Sequence, residues 1–297
     1  MPNSSRVLVT GGAGFIGRRV VTALLTQGHE VSVVDLRAHP DTAVRSVVGD
    51  ITDPAIVERA VRPDTEVIIH LAALTSVVKS VEDPVGTYRL NVDATARLLE
   101  QARENEVHTF LLASTNAAAG NVGAATMNES VPLRPLGPYG ATKAAAEMLL
   151  SAYTNSYGIT GAALRFSNVY GPGMEAKDSF IPRLMRAARD GEGVQVRGDG
   201  SMIRDVVQGI QIAWESGHTG PLILGSGQAV TVNEMVQTAR RVTGRPIPVE
   251  HVPVPTGEMP AVVLDISAIK ALGYQPRFDL EAGMATVWPD FNPGTQS

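Results

Sequence analysis

The chain has 297 residues, 44% of them hydrophobic and 19% charged, with 25 Lys+Arg against 30 Asp+Glu, a formal charge of -5 and no cysteine. That composition excludes a disordered chain, disulfide staples, thiol nucleophiles and cysteine-bound metal centres. A negative balance without a basic tract speaks against nucleic acid as a partner, since such binding draws on many phosphate contacts.

The first apolar run, 7–9, breaks at Gly11-Gly12 and is too short for the core of an export signal. No stretch supplies the roughly 20 apolar residues of a membrane span, so a soluble cytoplasmic protein with no membrane partner is expected. Strand-length apolar runs follow at 31–34, 67–71, 110–112 and 161–166. Between them lie segments with apolar residues every three or four positions, at 15–27, 54–61, 84–104 and 139–157. Runs this short and this continuously apolar are buried on both faces, which predicts an α/β fold with a doubly wound parallel sheet. After about residue 168 the chain turns loop-rich, with short helices expected at 179–189 and 232–243. The division expected is a dinucleotide-binding domain over 1–168 and a smaller α/β substrate region over 169–297, partly interleaved with it.

Thr10-Gly11-Gly12-Ala13-Gly14-Phe15-Ile16-Gly17 sits between the first strand and the first helix. Glycines at 11, 14 and 17 permit a tight turn, close backbone approach to a pyrophosphate and close helix–strand packing. The helix N-terminus then adds amide donors and the positive end of its dipole. Asp35 stands 18 residues after Gly17 at the end of the second strand, where a carboxylate accepts from an adenosine ribose. This favours NAD over NADP, although Arg37 is the type of residue that takes a 2′-phosphate. Tyr139 and Lys143 share a helix face at i, i+4 spacing. A nearby cation lowers a phenol from its ordinary value near 10, as proton exchange at a sugar hydroxyl or ketone requires. Ser114-Thr115-Asn116 ends the fourth strand, on the edge where ligands bind in open α/β sheets. The six histidines are scattered, with no metal-ligand spacing; His70 and His108 read as packed residues, and no metal is expected.

Together these residues resemble the extended short-chain dehydrogenase/reductase family, in its sugar-nucleotide epimerase/dehydratase branch. The likeness rests on the glycine motif at 10–17, Gly-Asp-Ile at 49–51, His-Leu-Ala-Ala at 70–73 and Asn-Val at 91–92. It continues through Ser-Thr at 114–115, Tyr139/Lys143, Leu-Arg-Phe-Ser-Asn-Val-Tyr-Gly-Pro-Gly at 164–173 and Gly-Asp-Gly…Arg-Asp at 198–205. The resemblance implies a Rossmann domain with Gly11, Gly14, Phe15, Ile16, Gly17 and Asp35 on NAD. It puts Asp50 and Ile51 by the adenine, Leu71, Ala72 and Ala73 along the cofactor, Asn91 beneath it, and Phe166 and Ser167 by the nicotinamide. Thr115, Tyr139 and Lys143 are the implied catalytic set, the last two also touching the cofactor. Thr75, Thr115, Asn168, Ser179, Phe180 and Arg204 are implied on a nucleotide sugar. The family also pairs its helices between subunits as a four-helix bundle, which implies a homodimer through 84–104 and 139–157. Ala94, Leu98 and Ala102 form one small-residue stripe, and Ala145, Met148 and Ala152 the other; ordinary core packing is the alternative.

Dehydratases of this branch carry an Asp-Glu pair after the Thr, where this chain has Asn116 and Ala117, so dehydration is disfavoured. Ala119 replaces a tyrosine, which implies a wider pocket, and no Arg precedes Pro255-Thr256-Gly257-Glu258. The reading is an NAD-dependent nucleotide-sugar epimerase, acting at C4 through a transient 4-keto sugar. The alternatives are an NAD(P)-dependent reductase or dehydrogenase of a ketosugar or other ketone, and a non-catalytic dinucleotide-binding regulator.

Overall fold

A computed structural model describes residues 4–123, 126–177, 179–195, 201–228, 230–250 and 263–292; the side chains of 194, 195 and 201–204 lie outside the description. In chain order the elements are β1 (Arg6–Thr10), α1 (Phe15–Thr26), β2 (Glu30–Asp35), β3 (Arg45–Val48), α2 (Pro54–Ala60), β4 (Val67–His70), α3 (Val77–Glu82) and α4 (Pro84–Tyr88). A π-helical turn, Arg89–Asp93, joins α4 to α5 (Ala94–Glu104), and β5 (Thr109–Thr115) leads into a 3₁₀ turn, Asn116–Ala118. Then come α6 (Pro138–Tyr157), β6 (Thr160–Phe166), β7 (Val169–Tyr170), α7 (Phe180–Asp190), β8 (Val194–Gln195), β9 (Ser201–Met202) and α8 (Ile203–Glu215). The chain continues through β10 (Gly220–Leu224), α9 (Val232–Thr243), β11 (Val249–Glu250), α10 (Ser267–Ala271) and α11 (Leu280–Phe291).

Seven strands form one parallel sheet in the order β10-β6-β5-β4-β1-β2-β3. Its central strands are apolar at nearly every position because helices cover both faces. Val7, Val9, Val33, Ile69 and Leu164 face a core that includes α1 and α8 (Val20, Leu24, Val206, Ile210). Leu8, Val34, Ile68, Phe110 and Leu112 face the other, with α2, α5 and α6 (Val57, Leu98, Ala146, Leu150). A third core joins α7, α9 and α11 through Leu184, Met185, Met235, Met284 and Phe291. Strand order reverses beside β1, which opens a crevice at the carboxyl ends of β1 and β4.

One feature departs from the sequence expectation. The segment 84–104 is not one α-helix, because Arg89–Asp93 widens to π geometry, the kind of bulge that clusters at functional sites. The second half of the chain also contributes to the sheet, with α8 packing beneath it and β10 adding its seventh strand along β6. No described helix is long and apolar enough to cross a membrane.

Candidate active site

Because the sheet is parallel, the carboxyl ends of β1, β2, β4, β5 and β6 deliver Gly11–Gly17, Asp35, Leu71–Ala73, Thr115 and Ser167 to one edge. At Gly17 a Cβ would lie 2.1 Å from Gly11 O and 2.6 Å from Gly12 Cα, so only glycine allows the helix to start this close to the turn. The N-cap is Gly14, no side chain caps α1, and its first turn holds no acid. The open amides and the dipole are therefore free for an anion. Asp35 accepts from Ala13 N–H at 3.0 Å, which fixes its carboxylate against the turn. A glycine cradle, an uncapped helix start and a fixed acid together fit a dinucleotide.

Beneath the crevice runs a buried relay. The neutral His70 ring accepts from Thr10 Oγ1 (2.7 Å) and donates to Thr95 Oγ1 (3.0 Å), which in turn donates to Asn91 O (2.8 Å). Burial, then the Lys143 charge, pushes His70 down to about 3, so it stays neutral, and it is packed as expected. His108, by contrast, is exposed at the entry to β5 rather than packed. Thr10 Oγ1 also accepts from Ala72 N–H at 3.1 Å. Asn91, placed inward by the π turn, accepts from Leu74 N–H (2.9 Å) and donates to Leu74 O and Thr142 Oγ1 (3.0 Å each). It thereby ties the loop after β4 to the helix that carries Tyr139.

Helix α6 starts at Pro138, and Ser80 Oγ of α3 accepts from Tyr139 N–H at 3.1 Å. A Cβ at Gly140 would lie 2.4 Å from Ala117 O, so its absence lets α6 press on the 3₁₀ turn that follows Thr115. The Thr115 hydroxyl stands by the Tyr139 phenol and favours its ionised form. Lys143 is buried, and its Nζ donates to Ala113 O at 2.8 Å. Thr115, Tyr139 and Lys143 are thus brought together.

Their electrostatics differ from the expectation that a neighbouring cation lowers the phenol. Burial pushes Tyr139 up to about 12, against the opposing effect of the Thr115 hydroxyl. Burial takes Lys143 down from 10.5 to about 8, with the Glu147 carboxylate opposing. Lys143 directs its hydrogen bond to a β5 carbonyl, so desolvation prevails at the phenol.

A model of the NAD dependent epimerase/dehydratase family matches residues 7–209. The chain belongs to this family. A UDP-glucose 4-epimerase of Halalkalibacterium halodurans is 31% identical, over 95% of this chain and 94% of its own. A dTDP-glucose 4,6-dehydratase of Actinoplanes sp. is 32% identical, over 94% and 95%. The UDP-glucose 4-epimerase of Thermus thermophilus, solved with NAD, is 32% identical, with a TM-score of 0.89 over 98% of this chain and 99% of that one. This is an NAD-dependent enzyme family, and the chain shares the parallel α/β sheet of its solved relative.

The remaining family-implied residues lie as follows. Asp50 is exposed and accepts from Thr52 N–H, while Ile51 is a core side chain, leaving only its backbone for a cofactor. Phe166 and Ser167 are buried at the end of β6. Thr75 and Asn168 are exposed after β4 and β6, and Ser179 caps α7 with no side-chain cap bond while Phe180 packs on the third core. Arg204 is the second residue of α8, but its side chain lies outside the described residues, as do Gly198–Gly200 and Pro255–Glu258. Ala119 packs in the sheet core with Met127 and Leu264, so its small side chain does not widen a pocket. Ala94, Leu98 and Ala102 are buried in the subunit's own core, which corrects their reading as an intersubunit stripe. No group of three or more metal-ligating side chains occurs among the described residues.

Lys177 escaped the sequence reading. Its Nζ lies 4.7 Å from the centre of the Phe15 ring at the cofactor turn, and burial lowers its ammonium. The sequence signal is a lone cation between Ala176 and Asp178, in a loop no motif covers.

Proposed function

We propose that the protein is an NAD-dependent epimerase that inverts C4 of a nucleotide-activated sugar. The observation that carries this reading is the Thr115/Tyr139/Lys143 cluster at the crevice, followed by Asn116 and Ala117 rather than by an acid and a base. NAD, when bound, accepts a hydride from the sugar carbon and returns it. Tyr139 takes the proton of the reacting hydroxyl and gives it back to the ketone oxygen. Lys143 stabilises the phenolate, and Thr115 holds the phenol towards the reacting oxygen. Neither Asn116 nor Ala117 has a transferable proton, so elimination of water has no acid–base pair and the ketone keeps its C6 hydroxyl. Residues 1–168 hold the cofactor and 169–297 cover the substrate. Thr75, Asn168, Ser179, Phe180 and Arg204 contact it, and Lys177 adds a cation for the diphosphates near Phe15.

The subunits pair as a homodimer through α3, α4 and α6. Supporting this, α3 and α4 pack on α6, and Val78, Val81, Val85, Tyr88 and Met148 leave a large apolar area exposed there. The cytoplasm is the proposed compartment, because cofactor and activated sugar must share one solution.

The test incubates the protein with UDP- and dTDP-sugars, following product by NMR and cofactor by nicotinamide absorbance. C4 epimers should form with catalytic turnover and no net NADH. Stoichiometric NADH, or a 4-keto-6-deoxy product, overturns the reading. Tyr139→Phe should lower kcat by about 100-fold or more.

A further inference from the structure

The best-buried ion pair among the described residues lies outside the reaction described above. Arg165, in β6, and Glu147, in α6, meet at 2.8 Å with side-chain exposures of 3% and 6%. Arg165 Nε also donates to both Glu147 oxygens, at 3.1 and 3.2 Å. Glu147 stands one helical turn after Lys143, as Lys143 stands one turn after Tyr139, so the three share a face of α6. Its Oε1 accepts from Ser114 Oγ, and Ser114 precedes Thr115 at the end of β5. Ala113, one residue earlier, is the acceptor of Lys143 Nζ. Two consecutive β5 residues are thus held by α6, Ala113 by Lys143 and Ser114 by Glu147, and Thr115 follows them beside Tyr139.

A buried ion pair is weak evidence for stability, because desolvation offsets its attraction. Packing alone would be served by apolar residues here. A charged pair one turn below a buried ammonium has another consequence, since it sets the field in which that ammonium sits. We propose that Glu147, held by Arg165, is a positioning residue of the active site, supplying the counter-charge for Lys143 and clamping the β5 end that carries Thr115. Arg165 has a separate anchor, donating to Glu129 O at 3.4 Å, while Glu129 Oε1 accepts from Ile223 N–H of β10 at 2.9 Å. Through these bonds the strand contributed by the second half of the chain buttresses the clamp.

The charged and titratable groups around Lys143 are few. Glu147 is on its own helix, Tyr139 is one turn earlier, His70 of β4 feels the Lys143 charge and is neutral, and Arg165 lies behind Glu147. Glu147 is the one whose charge holds the ammonium up against burial. Removing that charge must lower Lys143 further, and removing Arg165 must raise it.

The inference rests on the assignment of Tyr139 and Lys143 as the working pair, so its test needs a readout that does not depend on turnover. In the NAD-bound protein, the Lys143 ammonium is titrated by NMR of labelled lysine, identified by its loss in Lys143→Arg. The alkaline limb of epimerase activity is followed in parallel. Glu147→Gln should move both to lower pH by about one unit, the low end for loss of a close opposite charge. Arg165→Met should move them to higher pH, and Glu147→Asp should restore the limb of the parent. If a single variant fails to fold, Glu147→Gln/Arg165→Met removes both charges together, and its titration should still fall, because Glu147 is the nearer charge. Ser114→Ala should lower kcat several-fold at unchanged KM and leave the titration in place. An unmoved Lys143 titration in folded Glu147→Gln, or in the folded double variant, overturns the proposal. A moved titration in a protein that epimerises no sugar leaves the clamp standing and refutes the assigned reaction instead.

Discussion

Replacing Gly17 with alanine tests whether the glycine turn is a cofactor cradle. A Cβ there would stand 2.1 Å from Gly11 O. Ordinary carbon–oxygen contacts begin at about 3.3 Å, so the turn must open by about 1 Å. That movement carries the first amides of α1, which no side chain caps, out of hydrogen-bonding range of a pyrophosphate. Losing two charge-assisted bonds of about 1.5 kcal/mol each weakens NAD binding by roughly 100-fold. Overpacking should also cost about 1–3 kcal/mol of stability. Gly14→Ala is the control, since its Cβ meets only Gly11 O, at 3.0 Å, and asks for a few tenths of an ångström. Calorimetric titration of NAD into cofactor-free protein should give a large loss for Gly17→Ala and less than about tenfold for Gly14→Ala, by that smaller displacement. Wild-type affinity and an unchanged melting temperature in Gly17→Ala would refute the reasoning.

Lys143→Met should abolish turnover yet raise the melting temperature at pH 7. Burial lowers this ammonium from 10.5 to about 8 in the folded chain, so the unfolded chain binds the proton more tightly and stability is lost as pH falls from 10.5 to 8. The gain should approach about 3 kcal/mol and vanish above pH 10.5; equal melts at pH 7 would count against it. His70 is lowered from 6.5 to about 3, so the cofactor-free protein should lose stability as pH falls through that window. His70→Gln should remove about one proton from the slope in denaturant titrations, and an identical slope would show that the ring is charged in the folded chain. Lys177→Ala should weaken UDP or NAD binding by about tenfold at low salt and less at high salt, whereas salt-independent affinity would place the ammonium away from both diphosphates.

The parts of the fold that were legible are those where one physical signal dominates. β1, β2, β4, β5 and β6 are apolar on both faces, and a parallel sheet is their only economical burial. β3 was not legible, because an edge strand reading Arg-Ser-Val-Val alternates burial and lacks a continuous apolar run. β10 was missed for another reason: its Gly-Pro-Leu-Ile-Leu run is short, and its partner β6 lies more than fifty residues earlier. α11 contains Pro289, which argues for a stop where the helix continues to Phe291. Within the site, the glycine turn, Asp35, Thr115, Tyr139 and Lys143 were visible because their spacing is local. The π turn at Asn91 was not, since a bulge leaves three-to-four periodicity nearly unchanged.

What spacing does not reveal is charge balance inside the protein. A chain with a net charge of -5 that binds a dinucleotide must overcome its own field locally. At the turn it does so without any side chain, through uncapped amides. Farther in stand Lys143 and Lys177, two cations that burial destabilises. Of these two, Lys143 has a buried carboxylate within reach, and that carboxylate is itself held by Arg165. A full ion pair on Lys143 would cancel the charge the phenol needs, and no counter-charge at all would let the ammonium lose its proton near neutral pH. Sharing Glu147 between Arg165 and Lys143 lies between these limits, keeping the lysine charged but incompletely neutralised. The same logic explains why the acid stands at i+4 from the lysine and i+8 from the tyrosine. At that separation its field acts on the cation and falls away before it reaches the phenol.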